Sequence, residues 1–176
     1  MRRAPLMTAV LLMSVIAVAW PREARAQGGF EKVTGKEFDS AMPKDFYLEG
    51  NAIPTEKRNT TMLKTASGAR VLWGLIDTSG YSSQIQQKYI GMLITESKLT
   101  VCGKSIGIGS YGFGLEKPAG ESNEDGKFFL YDQAGGKVAE CVAQRDAKIV
   151  QPKPLQVIIG KSGAKLYLGR YFVGIK

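Results

Sequence analysis

The chain has 176 residues, with 24 Lys and Arg against 16 Asp and Glu, a formal net charge of +8, two cysteines and no histidine. The missing imidazole excludes Ser-His and Cys-His nucleophile pairs, His-based zinc sites and the commonest general base. Such a length can bury a sizeable core, so folding does not depend on cross-links.

The first 26 residues read as an export leader, a signal peptide. Arg2 and Arg3 form a basic start, Leu6 to Trp20 is apolar apart from Thr8 and Ser14, and Pro21 ends the run. Ala24-Arg25-Ala26 supplies small residues for a peptidase, with the cut expected between Ala26 and Gln27. About 15 apolar residues fall short of the roughly 20 that cross a bilayer. The expectation is therefore a soluble protein of the periplasm or extracellular space, a single all-β domain over residues 27–176 with no stable membrane span. Losing Arg2, Arg3, Arg22, Arg25 and Glu23 leaves a net charge of +5. That excess suits a surface meeting anionic envelope polymers or lipid headgroups, and equally the ordinary solubility of a small basic domain. No run of Lys or Arg is dense enough for a nucleic-acid arm, and no nucleic-acid partner is expected.

Short apolar runs and glycine-containing turns follow. Thr34 and Glu37 have capping-box spacing, with Phe38, Ala41 and Met42 behind them and Pro43 as a stop, which predicts one short helix. Strands are expected at Phe46 to Asn51, Thr60 to Thr65 and Arg70 to Ile76, the last two joined by a hairpin turn at Ala66-Ser67-Gly68-Ala69. Ser83, Ile85, Gln86 and Tyr89 suggest a helical turn. Tyr89 to Thr95 and Leu99 to Cys102 read as a second hairpin. Ser105 to Leu115 reads as one strand, followed by a polar loop from Lys117 to Gly126. Lys127 to Tyr131 pairs with Lys137 to Gln144 as a third hairpin. After the stiff Gln151-Pro-Lys-Pro154 connector, Leu155 to Ile159 pairs with Lys165 to Ile175 as a fourth. Consecutive hairpins without a long helical pattern predict an all-β fold, an antiparallel sandwich or small barrel with one short N-terminal helix.

Val71 to Ile76 and Ile90 to Ile94 are apolar on both faces, so each needs two covers. The N-terminal helix, a partner subunit or an apolar ligand are the candidates for the second, and a homo-oligomer stays open. Cys102 and Cys141 lie in apparent strands; a disulfide closing a loop of about 40 residues is weighed against two buried thiols.

Gly107-Ile-Gly109-Ser-Tyr-Gly112 has dinucleotide-loop spacing, but such a loop works only where a strand turns into a helix, and Pro118 and a polar loop follow instead. No cofactor is expected; these glycines suit a bend or the close approach of another backbone. Asp77, Asp132, Glu140 and Asp146 are the candidate acids for carboxylate chemistry on a polysaccharide, though turn formation explains Asp77 and Asp132 as well. Tyr111 with Phe113, and Tyr167 with Tyr171, form the candidate aromatic binding face, with core packing as the competing reading. The sequence thus favours a non-enzymatic binding or structural module with an envelope or extracellular ligand. A carboxylate hydrolase and a small outer-membrane barrel are the alternatives.

Overall fold

The computed structural model describes residues 29–120 and 123–176. The expected leader and its expected cut between Ala26 and Gln27 lie outside them. The described chain is nearly all antiparallel β, as the hairpin pattern predicts. Its elements in order are β1 (Phe30–Val33), α1 (Lys36–Ala41), β2 (Asp45–Leu48), β3 (Asn51–Thr65), β4 (Arg70–Ile76), α2 (Ser83–Lys88), β5 (Gly91–Thr95), β6 (Leu99–Val101) and β7 (Lys104–Ile106). There follow β8 (Gly109–Glu116), β9 (Gly126–Asp132), β10 (Lys137–Arg145), β11 (Gln156–Gly160), β12 (Gly163–Leu168) and β13 (Tyr171–Ile175). The 13 strands form one barrel-like sheet, hydrogen-bonded in the order β1-β3-β4-β5-β8-β9-β10-β13-β12-β11, and β11 returns to the side of β3 to leave it nearly closed.

Period-two alternation decides which side chains fill the interior. Val71 and Trp73 of β4, Leu93 of β5, Phe113 of β8, Phe128 and Leu130 of β9, Leu166 of β12 and Val173 of β13 belong to one buried cluster. Each such side chain contributes about 1.5–3 kcal/mol by leaving water. The opposite faces of β4 and β5 are covered by a second cluster, built from Phe46, Leu48, Ile53, Ile76, Ile85, Tyr89 and Met92. The two-sided apolar pattern thus has its second cover, but the cover is α2 together with the β2–β3 hairpin. Helix α1 buries no residue. It sits beside β3 through the ion pairs Lys64–Glu37 and Lys57–Asp39.

Several local expectations are corrected. The capping box does not form: Gly35 is the N-cap, no side chain caps it, and Glu37 is committed to Lys64. Strand β3 starts nine residues before Thr60, and a bulge between Glu56 and Thr60 hides its continuity, since the bulge carries the charged pair Lys57-Arg58. The second hairpin does not pair as expected, because β5 lies between β4 and β8 while β6 pairs with β7 and β13. The expected strand over Ser105 to Leu115 breaks at Gly107-Ile108, with Gly109 at φ 152° opening β8. Lys165 to Ile175 is likewise two strands. Gly169, at φ 66°, turns the chain so that Tyr167 opposes Phe172 and Leu168 opposes Tyr171.

Candidate functional site

That turn separates the residues of the expected aromatic face. Neighbours along a strand point to opposite sides, so the register places Tyr167 on the outer face with Phe172 and Tyr171 on the inner face with Leu168. Tyr167 is buried there, its hydroxyl donating to Asp146 Oδ2 at 2.9 Å. Phe113 is fully buried between Trp73 and Phe128, at centroid distances of 5.6 and 5.7 Å. Tyr111 packs half-buried against the main core and donates its hydroxyl to the Gly107 carbonyl at 3.1 Å. These four do not make one surface.

A different pair does. Phe129 and Tyr131 alternate with the buried Phe128 and Leu130 along β9, and therefore stand on the outer face. Their rings are near-parallel, 6.2 Å apart at 24°, and half-buried. They form one wall of a groove of about 660 Å³ whose opposite wall is α2, with Ser83, Gln84 and Gln87. Among the described residues, the side chains of Gln84 and Gln87 make no hydrogen bond, so their amides are available to a ligand. Helix α2 begins at Ser82, whose hydroxyl accepts the Ile85 N–H, and is pinned by burial of Ile85. Gly114 lets it lie close: a Cβ there would fall 2.2 Å from the Lys88 carbonyl oxygen.

Beneath the groove lies a polar node. Glu49 and Gly50 form the two-residue turn between β2 and β3, both at positive φ (47° and 77°), as a type I′ hairpin requires. A non-glycine residue in that region costs about 1–2 kcal/mol. The Glu49 carboxylate offsets the cost by accepting from Lys88 Nζ at 2.5 Å and Tyr89 Oη at 2.6 Å. Lys88 also donates to the Gly135 carbonyl at 2.9 Å and stands 4.8 Å from the centre of the Tyr131 ring. Lys88 and Tyr89 hold the Glu49 carboxyl below the usual carboxylate range. Burial, and then Glu49, raises the Tyr89 hydroxyl well above its ordinary value.

A depressed folded-state pKa gives stability that is complete above the unfolded carboxyl pKa and lost as pH falls through the folded value. Glu49→Gln should therefore lower stability by about 1–3 kcal/mol at neutral pH. The deficit should shrink as the solution is acidified below the ordinary carboxylate range. Urea unfolding of both proteins across pH 3–7 checks this (a range set by the carboxylate reference of about 4.3), and a deficit independent of pH would refute it.

Two further hollows adjoin the groove. It shares Leu115 with one of about 540 Å³ at the barrel mouth, lined by Leu75, Ile76, Ile90 and Leu168 among others. The mouth shares Lys117 and Gly169 with a third, which holds Arg145, Arg170 and Tyr171.

The candidate acids are occupied elsewhere. Asp77 and Asp132 accept turn N–H groups from Ser79 and Gly136, Glu140 pairs with Lys137, and Asp146 accepts from the Lys148 N–H and from Tyr167. Hydrogen bonds from Ser79, Lys137 and Lys148, respectively, hold Asp77, Glu140 and Asp146 below their ordinary values. A glycosidase acid needs the opposite shift. Among the described residues no cluster could hold a metal ion, and no helix is long and apolar enough to cross a membrane. Cys102 and Cys141 are joined by a disulfide, with Cα atoms 5.4 Å apart.

Phe129 and Tyr131 escape a reading by apolar character alone, because β9 is aromatic on both faces. The outer position of 129 and 131 follows only once 128 and 130 are seen to point inward. Comparison with known proteins gives no match, whether to a family model, a curated protein or a solved structure.

Proposed function

We propose that this protein is an exported, non-catalytic binding module of the cell envelope or extracellular space, and that its ligand is a glycan seated in the groove between α2 and β9. The observation that carries the reading is the Phe129–Tyr131 pair: two near-parallel rings on the outer face of a sheet, facing unspent amides of Gln84 and Gln87. Sugar rings offer an apolar C–H face and a rim of hydroxyls, which aromatic platforms and amide side chains match. The leader pattern and the disulfide suit an oxidising compartment outside the cytoplasm. An apolar interior with Lys127, Glu140 and Lys165 on the outer face is the reverse of a lipid-embedded barrel, whose outer band is apolar.

A glycan array probed with the purified protein tests the proposal. At least one polysaccharide class should bind, and Phe129→Ala and Tyr131→Ala should each weaken it by about tenfold, near the free energy of one stacked ring. Silence across the array, or binding that both variants retain in full, would remove the groove as the ligand site.

A further inference from the structure

The third hollow has a charge character that the groove lacks. Lys117, Arg145 and Arg170 converge on it, together with Tyr171, and no carboxylate lines it among the described residues. Five cations elsewhere on the barrel, Lys57, Lys64, Arg70, Lys88 and Lys137, each pair with an acid. Among the described residues, Lys117, Arg145 and Arg170 make no ion pair. Both guanidinium groups are nevertheless held in place, and by neutral acceptors. Arg145 Nη1 donates to Asn123 Oδ1 at 2.7 Å, and Arg170 Nε donates to the Ile149 carbonyl at 3.2 Å. The nearby Asp125 carboxylate accepts the backbone N–H of Arg145, not its guanidinium.

Fixing an arginine through a carbonyl or amide oxygen orients its fork without cancelling its charge. The remaining N–H donors then match the oxygens of an anion. The cleft is continuous with the barrel mouth through Lys117 and Gly169, and there Leu75, Ile90 and Leu115 are half-exposed. An anionic head over the three cations would direct an attached hydrocarbon chain onto those apolar side chains.

We propose that this end of the barrel is a second ligand site, for a phosphate monoester carried on an alkyl or acyl chain. The site is distinct from the aromatic groove and stands whether or not that groove binds glycans. Phosphate oxygens are met by Lys117, Arg145 and Arg170, and the chain lies against Leu75, Ile90 and Leu115. Such a ligand can come free in solution or as a lipid within a bilayer, and the chemistry recognised is the same.

The test uses the purified protein and three probes: inorganic phosphate, monomeric octyl phosphate, and vesicles of phosphatidylcholine with and without phosphatidic acid. NMR titration with inorganic phosphate should shift amide signals around Lys117, Arg145 and Arg170. Octyl phosphate should bind about tenfold or more tightly than phosphate and extend the shifts to Leu75, Ile90 and Leu115. Arg145→Gln and Arg170→Gln should each weaken both soluble probes, and Lys117→Ala, on an exposed side chain, does the same without risk to folding. Leu115→Gln should weaken octyl phosphate alone, and Tyr131→Ala should change neither. Co-sedimentation with phosphatidic acid vesicles identifies a bilayer source, and octyl phosphate binding without sedimentation a free one. The proposal is overturned by absent or scattered shifts, by equal affinity for phosphate and octyl phosphate, or by binding that the three cation variants leave intact.

Discussion

Replacing Phe113 with alanine should destabilise the protein by about 3–5 kcal/mol, the usual cost of removing a large ring from a packed core. The ring is wholly buried and sits between Trp73 and Phe128. It also fills the space over Gly91, where an added Cβ would fall 2.1 Å from Phe113 Cζ. No neighbouring side chain replaces it there, and β4, β5, β8 and β9 all border the void. Trp73 gives a direct readout in a protein that starts at Gln27, because the other tryptophan is Trp20. Urea unfolding followed by Trp73 fluorescence should show the midpoint falling sharply. Tyr131→Ala, on the outer face, should cost distinctly less. A Phe113→Ala loss below about 1 kcal/mol would mean that the ring is not part of the interior.

Removing both sulfurs with Cys102→Ser and Cys141→Ser should cost about 3–4 kcal/mol, on the loop-entropy estimate for the 39-residue separation. The bond ties the β6–β7 hairpin to β10, which like β6 pairs with β13. Without it, that hairpin keeps one register pair, Val101 with Ile175, the reciprocal backbone bonds of Thr100 and Lys176 at 2.6 and 2.9 Å, and the burial of Leu99, Val101 and Ile106 in the core. The double variant should unfold at lower urea, and reductant should lower the wild-type midpoint by the same amount while leaving the variant unmoved. Equal midpoints for wild type and double variant would show that the hairpin stays docked without the bond.

Much of the strand inventory is legible in residue order because alternation and turn chemistry are local. Arg70–Ile76 and the β9–β10 hairpin need only β-branched and aromatic runs next to Ala-Ser-Gly-Ala or Asp-Gln-Ala-Gly-Gly. Helix α2 is visible for the same reason, through Ser83, Ile85, Gln86 and Tyr89. Partner choice is another matter. Nothing near Glu96-Ser97-Lys98 says that β5 must pair with β8 and β6 with β13, since that choice is settled by which edges are left free when the barrel closes. Glycine is ambiguous for a related reason. Gly114 continues its strand and admits α2, whereas Gly169 ends one, and only the surrounding packing separates the two outcomes.

The candidate site follows the same division. Aromatic content marks β8, β9, β12 and β13 alike, but exposure is a property of the assembled sheet, so Phe113 went to the interior, Tyr167 is covered on the outer face, and Phe129 and Tyr131 stand half-buried at the surface. Residue order by itself determined the all-β class, the short apolar repeats and the absence of imidazole chemistry, because each depends on composition or on contacts a few residues long. Only the tertiary structure decided which greasy face is covered by α2, where the uncompensated arginines meet, and which rings reach solvent. Those outcomes depend on segments far apart in the chain competing for one enclosed volume.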